Sequence, residues 1–103
     1  MNPRVIISTY PNQKSIKKIA KDLVKNNLVA CVNITQISSI YSWKGKIEDT
    51  PEFIAIFKTQ SKNLKKLKLK IKESHPYEIP EIMEIKINSI NQPYLKWLIS
   101  STT

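Results

Sequence analysis

With 103 residues, 41% hydrophobic and 24% charged, the chain has the composition of one small globular domain and not of a disordered or fibrous polymer. Its one glycine, Gly45, excludes the glycine-rich fingerprints of nucleotide and dinucleotide binding, and its one cysteine, Cys31, excludes an internal disulfide. The net charge of +9 comes from sixteen lysines and a single arginine, Arg4; with so little of the planar guanidinium fork that reads bases and phosphates, the surface reads as a solubility device, and no nucleic acid is expected as a partner.

Residues 4–10 (RVIISTY) are apolar and β-branched, the signature of a buried strand. Pro11 and Asn12 end it, and Asn12 or Ser15 is placed to cap a helix. Ile16, Ile19, Ala20, Leu23 and Val24 then repeat at helical spacing, with the lysines mostly off that stripe and Asn26 and Asn27 suited to the C-terminal cap. Residues 28–43 hold no proline or glycine and predict one long, bulged strand; Lys44 and Gly45 turn the chain, and residues 46–60 return as a second long strand. Pro51 is expected at a bulge or an unpaired edge.

Residues 61–75 predict a second helix, capped by Ser61 and carrying Leu64, Leu67 and Ile71 on a narrow stripe. The loop PYEIP leads to a fourth strand over 81–89, and Asn91-Gln92-Pro93 opens a short C-terminal helix in which Tyr94 and Trp97 are read as packing anchors. The order β-α-β-β-α-β plus a tail helix is the split βαβ pattern, so residues 1–103 are read as one α+β domain of ferredoxin-like build. Right-handed crossovers put two helices on one face of an antiparallel sheet in the strand order 4-1-3-2.

The hairpin strands are far longer than the usual ~5–6 residues. Ile37, Ile40, Tyr41, Trp43 and Ile47 therefore overhang what two helices can cover, an apolar ribbon that calls for further copies of the chain. Head-to-tail pairing of the second strand with the next copy's fourth strand would close a ring. No apolar run reaches the ~20 residues of a membrane span, and the N-terminal stretch lacks a signal-peptide pattern; no membrane partner and a cytoplasmic location are expected.

The stretches ACVNI (30–34), IYSWKGKIED (40–49), KTQ (58–60), HPYEIPEI (75–82) and PYLKW (93–97) together resemble the CutA family of divalent-cation tolerance proteins across nearly the whole chain. The resemblance implies a ferredoxin-like homotrimer, related in assembly to the nitrogen-regulatory signalling trimers, with a role in tolerance to copper and other divalent cations. One departure stands out: family members often carry two adjacent aromatics before KGKI, whereas Ser42 precedes Trp43 here.

The resemblance places metal-linked positions at Cys31, His75 and Glu81, and their chemistry agrees: thiolate and imidazole suit copper or zinc, and a carboxylate can complete the shell. Each has a plain structural alternative. Cys31 can be a small buried apolar group, His75 before Pro76 a helix terminus, and Glu81 a surface partner for a lysine. Trp43, Lys58, Tyr77 and Glu81 form a second set, expected to line an inter-subunit cleft for a small anionic ligand; a lysine inside FIAIFKTQ calls for Glu81 or Glu78 as its partner. Glu48, Asp49 and Glu52 around Pro51 read as a solvated turn.

Nothing in the chain assembles a nucleophile, base and orienting group, so no enzyme activity is expected and no cofactor is obligatory, with Cu(II) or another divalent cation the one metal considered. The loop STYPNQK lacks the arginine and glycines that acylphosphatases of this topology need, and EFIAIFKTQ lacks the glycine and stacking aromatics of RNA-recognition domains. The expected function is that of a trimeric divalent-cation-binding protein; a signalling trimer with anion-binding clefts and a scaffold for partner proteins are the alternatives.

Overall fold

In the computed structural model, which describes residues 2–103, the N-terminal run forms strand β1 (Pro3–Tyr10), with Ile6, Ser8 and Tyr10 buried. Helix α1 (Gln13–Lys25) begins where the Asn12 side chain accepts the Ser15 N–H at 2.9 Å, so Asn12 and not Ser15 is the cap. It ends at Lys25 with Asn26 as its C-cap, and the next residue, Asn27, has a φ of 59°, a conformation asparagine tolerates; the Leu28 N–H then closes on the Leu23 carbonyl at 3.0 Å. The hairpin follows as β2 (Cys31–Trp43) and β3 (Lys46–Gln60), joined by Lys44 and Gly45, both at positive φ (50° and 80°). Two such residues in a two-residue loop match the twist of the strands they join.

The chain continues through a 3-10 turn (Ser61–Asn63) into helix α2 (Leu64–Ser74), then edge strand β4 (Met83–Lys86) and helix α3 (Gln92–Ser101). The sheet order is β2-β3-β1-β4, all neighbours antiparallel, which is the predicted order. Helices α1 and α2 cover one face. Ile16 and Leu23 from α1 and Leu67 and Ile71 from α2 meet Ile6, Tyr10, Ala55 and Phe57 of the sheet in one core.

Several boundaries differ from expectation. β2 starts at Cys31, because Leu28, Val29 and Ala30 are buried in the turn out of α1 and Leu28 gives its carbonyl to the Thr59 hydroxyl at 2.7 Å. The hairpin carries no bulge: Cys31 faces Lys58, and the register runs unbroken to Trp43 facing Lys46. Pro51 sits in that register opposite Ser38, on the stretch of β3 beyond Phe53 where β1 has ended and a missing donor is tolerated. β4 spans four residues because β1 offers it only Arg4–Ile7; just past that ladder, the Thr9 carbonyl is taken by His75. Ser61 opens the 3-10 turn and caps nothing; no side chain caps α2. In α3 the buried anchor is Leu98, while Trp97 is about half-exposed and leans on Tyr94, with ring centroids 5.4 Å apart. The buried Thr102 fixes the end of α3 to the sheet, its hydroxyl accepting from Gln60 Nε2 at 2.8 Å.

Candidate functional site

Residues paired across strands share a face of a sheet. Ile6, Ser8, Tyr10, Ala55 and Phe57 point to the helices; Val5, Ile7, Thr9, Ile54, Ile56, Lys58, Cys31 and Ile37 share the opposite, open face. The segment after α2 joins the two sides. Pro76 keeps His75 extended, at φ −72° and ψ 135°, and thereby turns its ring into the core. The ring stacks on Tyr10 with centroids 4.2 Å apart.

Both imidazole nitrogens are engaged. Nδ1 accepts the Tyr77 N–H at 3.0 Å, so the neutral ring carries its proton on Nε2, which donates to the Thr9 carbonyl at 2.9 Å and lies 3.2 Å from the Ser8 hydroxyl. Burial pushes the His75 pKa below its ordinary value, against the smaller opposing pull of the Thr9 carbonyl and the Glu52 charge. Beside it, burial raises the Tyr10 phenol to about 12, the Ser8 hydroxyl offsetting only part of the rise, and Tyr10 Oη has no hydrogen-bond partner among the described residues. His75 is therefore a structural rivet in this chain, neutral and turned into the core, and neither nitrogen has a lone pair free for a metal.

From His75 the loop passes to the open side, where the Tyr77 hydroxyl donates to Glu52 Oε2 at 2.6 Å. Burial and the Glu52 carboxylate together raise the Tyr77 pKa. This bond closes one wall of a cavity of about 730 Å³ between the loop and the distal half of the hairpin. Tyr41, Trp43 and Tyr77 supply its aromatic walls. Every charged side chain lining it is a carboxylate: Glu48, Glu52, Glu78 and Glu81.

Three of the four predicted cleft residues, Trp43, Tyr77 and Glu81, thus meet in one chain. Lys58 does not join them. Its ammonium lies 5.7 Å from the Tyr94 ring centroid under α3, and no salt bridge links it to Glu78 or Glu81 among the described residues. The open face near α3 leaves Lys58 half-exposed, so burial never forces an acidic partner on it. The predicted metal set also separates. Cys31, a free and half-buried thiol, lies on the open face opposite Lys58; His75 lies under the helix face; Glu81 lines the cavity. No three acidic, histidine or cysteine side chains among the described residues are grouped to hold a metal ion within one chain.

Sequence reasoning missed Glu52, which it took for part of a solvated turn, and the Ser8–Tyr10 bed of His75. The available signal was the strand period: Glu52 falls in phase with Ile54 and Ile56 on the open face, and so faces inward beside the loop.

This geometry sits on a chain that the sequence model of the CutA1 divalent ion tolerance protein family matches over residues 4–101. The chain belongs to that family. It is 42% identical over 98 residues to the divalent-cation tolerance protein CutA of Pyrococcus horikoshii, covering 95% of this chain and 96% of that one. It is 45% identical over 91 residues to the human protein CutA, covering 87% of this chain and 51% of the longer human one. Among solved structures, CutA from Synechococcus elongatus superposes with a TM-score of 0.96 at 31% identity, covering 99% of this chain and 91% of that one. These likenesses bear out the CutA family and the α+β sheet-and-helix architecture read from the sequence.

Proposed function

We propose that the chain works as a homotrimer that binds divalent cations, Cu(II) among them, and that the acidic cavity is where the cation is first held. The observation that carries this reading is the cavity's charge: four glutamates, with no lysine or arginine among its lining residues. Such a cavity attracts cations and repels the small anion of the signalling alternative, which also loses Lys58 as its counter-charge. Within one chain the carboxylates do not converge into a chelate, so water or a second copy completes the coordination. Of the predicted ligands, Glu81 keeps its part in this reading; Cys31 is reached only from a partner chain across the open face, and His75 acts by holding the loop.

Self-assembly has its own support. The hairpin tip leaves Ile40 70% and Ile47 74% exposed, and β2 and β4 end the sheet as open edges of thirteen and four residues. A head-to-tail ring would cover both.

The test is a competitive Cu(II) titration against a chelator of known affinity, on the wild type and on Glu81→Gln, Cys31→Ser and His75→Ala, with native mass spectrometry reporting the oligomer. Sub-micromolar binding that is lost in Glu81→Gln while the trimer persists supports the assignment. Affinity unchanged in Glu81→Gln but lost in Cys31→Ser moves the site to the open face. A monomer at micromolar concentration overturns the trimer.

A further inference from the structure

The chain's charge is divided by element to an unusual degree. Gln13–Lys25 carries five lysines and one aspartate, and Ser61–Ser74 carries six lysines and one glutamate. These two segments hold the entire net charge of +9, and the rest of the chain balances five lysines and Arg4 against six carboxylates. A lysine-rich composition alone would spread over every exposed element; here the excess lies only on the layer of α1 and α2.

The lysines are also ordered. Ile16, Ala20 and Leu23 face the core, and Lys14, Lys18, Lys21 and Lys25, spaced i, i+4, i+7, i+11, run as a stripe on the opposite side of α1. That stripe is roughly 16 Å long at the helical rise. On the neighbouring segment Lys62, Lys65 and Lys66 likewise point away from Leu67 and Ile71 and are exposed. Among the described residues, Lys68 alone of these lysines is neutralised by a carboxylate, bonding Glu84 at 2.6 Å. The layer lies on the face of the sheet away from Cys31 and Ile54, and so stays accessible when further copies of the chain cover the open face.

We propose that this two-helix layer binds nucleic acid through its phosphates, without reading sequence. Neutralising phosphates with lysines is by itself enough for sequence-independent binding, and it needs no arginine, aromatic platform or groove-entering element, none of which the layer has. An anionic membrane fits less well, because stable anchoring needs an apolar element beside the basic one, and the layer's exposed apolar groups are limited to Val24 and Leu69. The low arginine content that argued against nucleic acid from composition argues only against base recognition.

The experiment is fluorescence anisotropy of the full-length protein with two labelled single strands of about twenty nucleotides and unrelated sequence, from about 50 to 200 mM salt. The expected result is similar affinity for both strands, falling steeply with salt. Lys18→Gln/Lys21→Gln and Lys65→Gln/Lys66→Gln should each weaken binding several-fold and flatten the slope of log K against log salt by about 1.4. Lys46→Gln/Lys96→Gln, which removes as much charge from the hairpin tip and α3, should change neither. All six positions are exposed, and circular dichroism checks that each variant is folded. No binding at about 50 mM salt, equal loss in the hairpin control, or tighter binding to vesicles containing phosphatidylserine than to the strands would each overturn the proposal.

Discussion

The two ends of the central hairpin belong to the same pair of strands and live in different surroundings. From Phe53 to Gln60, β3 has β1 on one side and β2 on the other, with α1 and α2 packed beneath; Ala55, Phe57 and Thr59 are fully buried. From Lys46 to Glu52 the same strand has only β2, and its Ile47 is almost as open as in an unfolded chain. Apolar residues carry the 53–60 segment and pairing with β2 carries the mostly polar KIEDTPE of 46–52, and only the former lies within reach of the helices and becomes core. The lesson is that a hairpin longer than the helices above it contributes to the core along only half its length, and the other half stays exposed within one chain.

The sharpest way to break this contrast is to remove a large side chain at each end. Phe57→Ala is expected to cost about 3–5 kcal/mol in urea-induced unfolding, since it empties the core. Ile47→Ala should cost less than about 0.5 kcal/mol in a monomer. If Ile47→Ala costs as much as a core substitution, the tip is covered in solution, and the size of that cost measures the self-association proposed above.

His75→Ala removes a stacked ring and its bonds to Thr9 and Tyr77, and is expected to cost about 2–3 kcal/mol in thermal unfolding. The same residue gives a pH signature. Its folded-state pKa lies below the unfolded value of ~6.5, so as pH falls below that point the unfolded chain takes up a proton that the folded one resists. Stability should therefore decline from neutrality towards the folded-state pKa and level off beneath it; His75→Gln should lose that part of the slope. A profile identical in both proteins would mean that the imidazole is not held neutral.

Tyr77→Phe deletes only the hydroxyl that meets Glu52 and should cost about 1 kcal/mol. Its clearer effect should be faster hydrogen exchange across residues 76–82, with protection of β1 and α2 unchanged, because the loop's other tether, His75, remains. Gly45→Ala should likewise cost about 1 kcal/mol, since the site has open space for a methyl but holds φ at +80°. It should leave the Phe53–Gln60 end untouched by the same exchange measurement.

How much could be read in advance varied with the range of the interaction. The Ile16–Leu23 stripe, the Asn12 cap, the positive φ at Gly45 and the strand order follow from short-range periodicity, steric preference and crossover handedness, and each is found. The extent of β4, the straight hairpin and the failure of Ser61 to cap depended on neighbours. β4 stops where β1 stops offering partners, and no local pattern in EIMEIKINS carries that information.

At the site, the sequence read Trp43, Lys58, Tyr77 and Glu81 as lining a cleft between subunits; within one chain Trp43, Tyr77 and Glu81 line a single cavity, Lys58 lies apart from it, and Glu52, read as part of a turn, joins it. An ionisable side chain's partner is whatever the sheet register and the loop path place beside it, and here those are Tyr94 for Lys58 and Tyr77 for Glu52. By itself the sequence determined the family, the elements and the sign of the charge, because these rest on residue identity and local spacing. Only the tertiary structure decided that His75 is buried with both nitrogens engaged, that every charged side chain lining the cavity is a carboxylate, and that the excess of lysine falls on one layer. Each of these depends on which distant residues become neighbours, and that is settled when the sheet closes its register under the two helices.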